Sequence, residues 1–494
     1  MIKSFIKSIR AGEDIKPLLP ELRSFLKSDE GIKAVKSNNA GFKELSEILK
    51  DNLNDPDPKI RKNCASCLGL TGNSDYVDAL YEAYLADDTK YNKAAYIEAL
   101  GRLDFSLIKD RLENRFRELK NAEYAPEDRK HIIEEMHAIA GLLKDGTRHR
   151  FTGFELVNEV VLLTNRNFKN ITADELGKIP HKEFTAGIMA KTKHIEKVLP
   201  IRTYSEMSFV PEQTKTVSTD PAEAAGEIIE GGITDYLKAR HDNASTPFYF
   251  RVEYKSDDIK EKADFEKKLA SGLEFLSRWE LINSTDDYDI EFRFVPNSGG
   301  TLQFLIGMYT IPDKRFAYRI KTISAGMKPS LAALLVRLGA DHIKDNAAVL
   351  DPFCGSGIFL AEREMFRPAR LIYGIDIYGE AIEAAKANLK KAGLSHKTEL
   401  INRDILDFRH QYKFDEIYAD MPRVTSGKDR FAINNLYKGF MAKAKDLLED
   451  DGVMFIYTHN RDFLRKYALA EGLSLTAEFE ISKKEEAYYF IIRR

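Results

Sequence analysis

Acidic residues close a series of short apolar runs in the last third of the chain. Asp351 follows Ala347-Ala348-Val349-Leu350, Asp376 follows Leu371-Ile372-Tyr373-Gly374-Ile375, and Asp420 follows Phe414 to Ala419. Asp404 stands just past the run Lys397 to Ile401. The first run is short, apolar and bounded by turn residues, which predicts a buried parallel strand; the second reads as another buried strand, and the runs from Lys397 and Phe414 read as strands. Gly355 and Gly357 flank Ser356 directly after the first run. They permit a tight turn and a close backbone approach to a ligand. A helix from about Ile358 to Phe366 follows, and its N-terminus offers backbone N–H donors. Asp376 lies 21 residues after Gly355 (376 − 355), the spacing at which a carboxylate can bind ribose hydroxyls. The turn is neither G-x-G-x-x-G nor G-K-[ST], so an adenosyl ligand without phosphates fits better than a dinucleotide or a triphosphate. Asp404 can accept a hydrogen bond from an adenine amino group. A lone G-x-G would be read as a structural turn; the acid-ended second strand and the acids after it change that reading. Acids at the ends of strands one to four face the crevice where open α/β sheets bind ligands.

The elements that must position these residues form a regular alternation. After the glycine turn come a helix over Gly379–Ala392, a strand over Lys397–Ile401 and a strand over Phe414–Ala419. A helix from about Asn435 to Leu448 and strands near Gly452–Thr458, Leu473–Phe479 and Ala487–Ile492 complete it. A helix over Ser330–Leu338 leads in.

The 494 residues leave room for two to four domains. With 43% hydrophobic and 31% charged residues the chain reads as soluble and globular, and no apolar run approaches the ~20 residues that span a bilayer. Met1 to Arg10 reads as an amphipathic first helix and not as a signal peptide. Three cysteines cannot build a disulfide framework, which points to a reducing cytoplasm. Cys64 and Cys67 lack the further ligands of a zinc site and, three apart on a helix, read as small core residues. No metal site is expected. Cys354 reads as a packing residue in the glycine turn. The formal net charge of −3 excludes a chain basic all over, though not a local basic groove.

Residues 1–146 read as helices joined by short polar turns. Lys59 to Gly69 and Tyr91 to Gly101 are similar lines 32 residues apart, with a fainter echo at Ala138–Gly141. Small residues on the inner helix face, followed by a glycine, suggest stacked helix pairs. This region resembles HEAT-type repeats, and an ordinary helical bundle is the alternative. From residue 147 to 320 strands and helices mix. Glu159–Thr164 reads as a strand and Thr172 as the N-cap of a helix with Glu175 closing a capping box. Glu212–Asp220 reads as a linker or a long loop. Phe248–Tyr254, Lys260–Trp279, Tyr288–Val295 and Leu302–Tyr309 read as strand, helix, strand and strand, suiting a small α+β domain of ferredoxin-like type. Lys314, Arg315, Arg319, Lys321 and Lys328, with Phe316 and Tyr318 among them, could meet phosphates and stack bases.

Asp351-Pro352-Phe353-Cys354-Gly355-Ser356-Gly357 resembles the first motif of S-adenosylmethionine-dependent methyltransferases that modify exocyclic amines. Asp376, Asp404 and Asp420-Met421-Pro422 match the order of the later motifs. Met327 to Ala333, with the α+β segment before it, resembles the THUMP-associated RNA guanine-N2 methyltransferases. The resemblance covers roughly residues 151–494. With the HEAT-like helical region over 1–146, which is not a usual part of that family, it implies a multidomain architecture: an α+β THUMP/ferredoxin-like RNA-binding region over 147–320, and a Rossmann-like methyltransferase domain with a seven-stranded, mostly parallel sheet over 321–494. It also implies that Asp351, Phe353, Gly355, Gly357, Asp376, Ile377, Asp404 and Ile405 hold S-adenosylmethionine, and that Asp420, Pro422 and Arg423 form the catalytic turn. Asp420 and the backbone at Pro422 would accept hydrogen bonds from a guanine amine. The implied partner is RNA, tRNA ahead of rRNA, with a protein partner for the helical N-terminus and no membrane. One departure stands out: Arg423 occupies the family's aromatic position, where the ring stacks on a flipped base. A guanidinium plane can stack as well. The alternatives are a cofactor- or RNA-binding scaffold with a decayed motif, and a methyltransferase acting on a protein side-chain amide.

Overall fold

The computed structural model describes all residues except 1, 12, 38–39, 126, 145–147, 244, 325 and 425–428. Ala325, in the segment leading to the first methyltransferase-like helix, therefore lies outside the described residues. Two compact units result. The first comprises Met1–His149, Ser245–Phe250 and Ser271–Asp287; the second comprises Arg150–Ala244, Arg251–Ala270 and Tyr288–Arg494. No helix among the described residues is long and apolar enough to cross a membrane.

The first unit is built mainly from nine α-helices among its described residues, from Ile2–Arg10 to Arg129–Leu143. The repeated small residues do what their spacing suggests. A Cβ on Gly69 would fall 2.6 Å from Cα of Ala99, and one on Gly101 would fall 2.7 Å from Leu142. Each glycine thus seats the backbone or an apolar side chain of the next helix pair. Asp87, before Lys90–Leu100, takes the Arg61 guanidinium of Pro58–Gly69 at 2.7 Å, while Asp57 pairs with Lys16 and Asp128 with Lys90. Cys64 and Cys67 are fully buried in the apolar core, where burial pushes both thiols up, Cys67 to about 12. Neither is a thiolate at neutral pH, in keeping with small core residues. Trp279 is a core residue too, with its ring edge-on to Phe116 and His137.

The second unit holds two sheets. In the α+β part the strands run in the order His181–Phe184, Gly187–Thr192, Asn158–Leu163, Glu206–Phe209, Leu302–Met308, Ile290–Pro296 and Phe248–Tyr254. Two local expectations fail here. Thr172 is no N-cap: the helix begins at Lys169, and the buried Thr172 hydroxyl bonds Thr203 at 2.8 Å. Glu175 reaches Thr203 at 2.5 Å and Arg337 at 2.7 Å instead of closing a capping box. Tertiary partners displaced the local cap. Glu212–Asp220 is a loop that carries one short strand. Thr216–Val217 pairs with Leu302–Met308, and Asp220 caps Pro221–Glu230 by accepting from Ala222 N and Glu223 N.

The C-terminal sheet has seven strands in the order Thr398–Asn402, Leu371–Asp376, Ala348–Asp351, Phe414–Asp420, Leu448–Thr458, Ala487–Arg493 and Ser474–Ser482. Ala487–Arg493 alone runs antiparallel to both neighbours. Alternation along the first strand sends Val349 to one apolar layer and Ala348 and Leu350 to the other, so helices cover both faces. The two parts of this unit are joined through a buried carboxylate. Glu362, on the helix Ile358–Phe366, takes Arg202 through two bonds of 2.7 Å and the Tyr318 hydroxyl at 2.6 Å.

Candidate functional site

Strand order reverses around Ala348–Asp351, which lies between the second and fourth strands. This is where a doubly wound sheet opens a crevice at its carboxyl edge. The register gives the crevice its shape. Asp351 pairs with Gly374 and Leu350 with Ile417, so the flanking strands run two residues further, to Asp376 and Asp420. At ~3.3 Å per residue these two carboxylates stand ~6–7 Å above the level of Asp351, one on each side.

Asp351 forms the floor. It is 1% exposed and its Oδ1 accepts from Phe353 N at 3.0 Å. Burial drives its carboxyl well above the usual range, the Phe353 N–H opposes this, and nearby Asp420 and Asp376 add to the rise. Phe353 packs edge-on against Phe440 at 5.2 Å. Gly355 and Gly357 both adopt positive φ, +52° and +78°. The second is the more constrained: a Cβ there would lie 3.1 Å from Leu389 and 3.3 Å from Ala385. Cys354 is buried and packs against Gly374, where a Cβ would come within 3.0 Å of its sulfur. Its thiol is pushed well above the usual value, first by burial and then by Asp351 and Asp376. A packing role follows, since a nucleophile requires the thiolate.

Asp376 is tied to the glycine turn. Its Oδ2 accepts from Gly355 N and its Oδ1 from Tyr378 N, both at 2.9 Å. A carboxylate oxygen carries two acceptor sites, so each retains one for a ligand hydroxyl. Ile377 and Tyr378 beside it are 60% and 72% exposed, an apolar ledge at the rim. Asp404 uses Oδ1 to accept from Leu406 N at 2.9 Å, and Ile405 is buried. On the other wall, burial raises Asp420 to about 7 and the charge of Arg423 pulls it down. Arg423 is exposed. Residues 425–428 beyond it are outside the described residues.

The carbonyl of Pro422 is already engaged. The Tyr437 hydroxyl donates to it at 3.2 Å and the Asn460 amide at 3.3 Å. Sequence reasoning missed both donors, and it missed Asn388. Asn388 is fully buried; its Oδ1 accepts from Ile320 N and Lys321 N, and its Nδ2 donates to Lys321 O and Ser356 O at 2.9 Å. The signal was present, because Asn388 shares the inner helix face with Ala381, Ala384 and Ala385. An asparagine on such a face needs partners. The proposed basic groove divides. Arg315 and Tyr318 point inward, Arg315 to Asp313 and the carbonyls of Ile201 and Tyr204, and Tyr318 to Glu362. Lys314, Lys321 and Lys328 remain exposed.

The residues fit an adenosyl cofactor. The turn brings backbone close without a side chain, and Asp376 presents free acceptor sites beside an exposed apolar ledge. Among the described residues, no group of three or more His, Cys, Asp and Glu side chains could hold a metal.

Comparison with known proteins bears on the fold and on the kind of domain present. Residues 317–484 match the RMKL-like methyltransferase domain, and residues 18–105 match HEAT repeats. A tRNA (guanine(10)-N2)-dimethyltransferase of Methanothermobacter thermautotrophicus is 30% identical over 129 residues, 26% of this chain and 37% of that one. A U6 snRNA (guanine-N(2))-methyltransferase of Bos taurus is 33% identical over 128 residues, 25% of each chain. The chain thus spans little more than a third of the length of these curated relatives, or less. The crystal structure of TrmN from Thermus thermophilus superposes with a TM-score of 0.50 at 16% identity, covering 68% of this chain and 99% of that one, a likeness of fold. Residues 317–484 are thus similar to the RMKL-like methyltransferase domain, and a region similar to HEAT repeats precedes them at residues 18–105.

Proposed function

We propose that this protein transfers a methyl group from S-adenosylmethionine to the exocyclic N2 of a guanine in RNA, with tRNA ahead of rRNA as the substrate. The observation that carries this reading is the crevice itself: Asp420 stands across from the glycine turn and Asp376, above the buried Asp351. The relatives whose names specify guanine N2 in tRNA and U6 snRNA support the choice of base and atom.

Gly355 and Gly357 would hold the methionine end of the cofactor, with Asp351 and Phe353 shaping the turn. Asp376 would bind the ribose hydroxyls, and Ile377, Asp404 and Ile405 would enclose and pair with the adenine. When bound, the cofactor supplies an electrophilic methyl carbon. Asp420, in its ionised form, accepts one N–H of the guanine amine and aims the nitrogen lone pair across the crevice. The methyl would part from the cofactor's sulfonium sulfur, which would keep the C–S electron pair as S-adenosylhomocysteine, while the amine nitrogen, on forming the new C–N bond, would shed a proton to the adjacent Asp420 carboxylate. Both lone pairs of the Pro422 carbonyl are engaged by Tyr437 and Asn460, so Asp420 carries the contact with the amine. Arg423 offers its guanidinium plane to the base. The chemistry needs in-line positioning in a dry pocket more than covalent help. The α+β region over 147–320 would bind the RNA, the helical region would dock a protein partner, and the cytoplasm suits both the substrate and the free thiols.

The test is transfer of labelled methyl from S-adenosylmethionine to total RNA of cells lacking this protein, followed by nucleoside analysis. An N2-methylguanosine product is expected. Confirmed cofactor binding without any transfer to RNA would overturn the reading and leave a scaffold.

A further inference from the structure

The turn that carries Asp420 is held from beneath by a buried polar cluster. Tyr437, on the helix Arg430–Leu447, is fully buried, and Thr458, at the end of the strand Leu448–Thr458, is fully buried as well. Their hydroxyls are 2.7 Å apart. The Tyr437 hydroxyl also donates to Pro422 O, and the Asn460 amide donates to Pro422 O and to the Tyr437 hydroxyl at 3.2 Å. Thr458 accepts from Asn460 N at 2.9 Å.

Asn460 stands at the N-cap of the helix Arg461–Ala470, where an asparagine ordinarily accepts from the helix's own N–H groups. Its side chain makes no such cap bond. The amide faces the Pro422 carbonyl instead. A phenol and an amide in a water-poor interior cost free energy unless they are bonded. Here the bonds converge on one carbonyl, two residues beyond Asp420. Met421 N donates to Tyr457 O at 2.9 Å, so the turn is fixed on both sides of the Met421–Pro422 peptide.

We propose that Tyr437 and Asn460 are positioning residues for methyl transfer: together they set the direction of the Asp420–Arg423 turn, and through it the placing of the substrate amine. This rests on the reading of Asp420 as the acceptor of that amine. Among the described residues, no hydrogen bond or ring contact joins either side chain to the glycine turn. Loosening them therefore affects turnover and leaves cofactor binding alone.

The experiment uses the full chain with Tyr437→Phe, Asn460→Ala and the double variant. Three quantities are measured: S-adenosylhomocysteine affinity by calorimetry, kcat and KM for RNA, and hydrogen exchange of the backbone around residues 419–424. The expected result is faster exchange confined to that peptide, cofactor affinity within about twofold of wild type, and kcat lower by ~10–100-fold with KM little changed. The double variant should fall well short of the product of the two single effects, because both act on one carbonyl. Unchanged exchange at 419–424, or cofactor affinity falling in step with kcat, would overturn the proposal. Should the wild type methylate no RNA, the functional reading falls by itself, and the exchange data alone decide whether Tyr437 and Asn460 hold the turn. Asn460 is only partly buried, so its variant keeps the test open if Tyr437→Phe fails to fold.

Discussion

Asp420→Asn should make the protein more stable while abolishing methyl transfer. The replacement keeps the size of the side chain and one acceptor oxygen, but it cannot ionise. Carrying a carboxyl from 3.8 to about 7 raises the cost of ionising it in place by ~4 kcal/mol, at ~1.4 kcal/mol per tenfold change in acidity. That is a ceiling. The side chain is only partly shielded from solvent, so a gain of ~1–3 kcal/mol is expected. The sign follows from proton binding. The unfolded chain releases this proton near the usual 3.8, whereas the folded chain keeps it to about 7. Between those values the folded state binds more protons, and stability falls as pH rises. Asparagine has no such penalty, so its advantage grows through this window and levels off above it.

Thermal unfolding of the two proteins at about pH 4 and about pH 8 reads the difference, at ~2–4 °C per kcal/mol for a domain of this size. The curves should nearly coincide at the lower pH and separate at the higher one. In the same preparations S-adenosylhomocysteine should bind normally, and transfer to RNA should fall by ~100-fold or more, the cost of losing a charged acceptor in a low-dielectric site. A pH-independent gap, or an asparagine variant less stable at about pH 8, would refute the electrostatic account of the crevice. Normal turnover by the variant would refute the role given to Asp420.

Other perturbations test separate parts of the site. Arg423→Gln removes the positive charge that lowers Asp420, so the acidic limb of the pH–rate profile should move to higher pH; Arg423→Lys should leave the limb where it is and weaken RNA binding, since an ammonium does not stack as a guanidinium does. Gly357→Ala places a Cβ at φ +78° and 3.1 Å from Leu389, and calorimetry should show cofactor affinity lower by at least ~10-fold, with strain of ~1–3 kcal/mol as the cause. Glu416→Gln breaks the fully buried ion pair with Arg363, whose Nε lies 2.8 Å away. An uncompensated buried guanidinium should cost ~3–5 kcal/mol in a denaturation series.

The C-terminal sheet was legible mainly through inner strands such as Ala348–Asp351 and Leu371–Asp376, which are largely buried and therefore read as apolar runs. The strand at Leu371 and the helix at Ile358 begin at the expected residues. Glycines at a turn and acids at strand ends are likewise local features, so the residues of the crevice could be named without coordinates. What supports them could not. Asn388 works on backbone 67 and 68 residues away, and Asn460 on a carbonyl 38 residues away. No spacing rule links such pairs. Thr172 shows the converse: a sound local signature lost to Thr203, 31 residues on. Charge was legible in type but not in direction, since Arg315 turns inward among Asp313 and two carbonyls while Lys314 next to it stays exposed.

This division bears on how the site acquires its chemistry. Each of Asp351, Asp376 and Asp420 taken alone is an ordinary acid closing a strand. Their unusual environment comes from register, which brings the three together around a buried first strand. Asp376 is bonded by two backbone N–H groups and Asp351 by one, from Phe353, whereas among the described residues none donates to the Asp420 carboxyl, which is governed by burial and the charge of Arg423. A carboxylate already bonded by backbone N–H groups is held in place by them, whereas one without them keeps its acceptor sites for a donor that arrives later. On this ground Asp376 suits a standing role on the cofactor side. Asp420, with acidity near neutrality and no donor of its own, suits the one place in the crevice where an N–H has to be accepted and then given up.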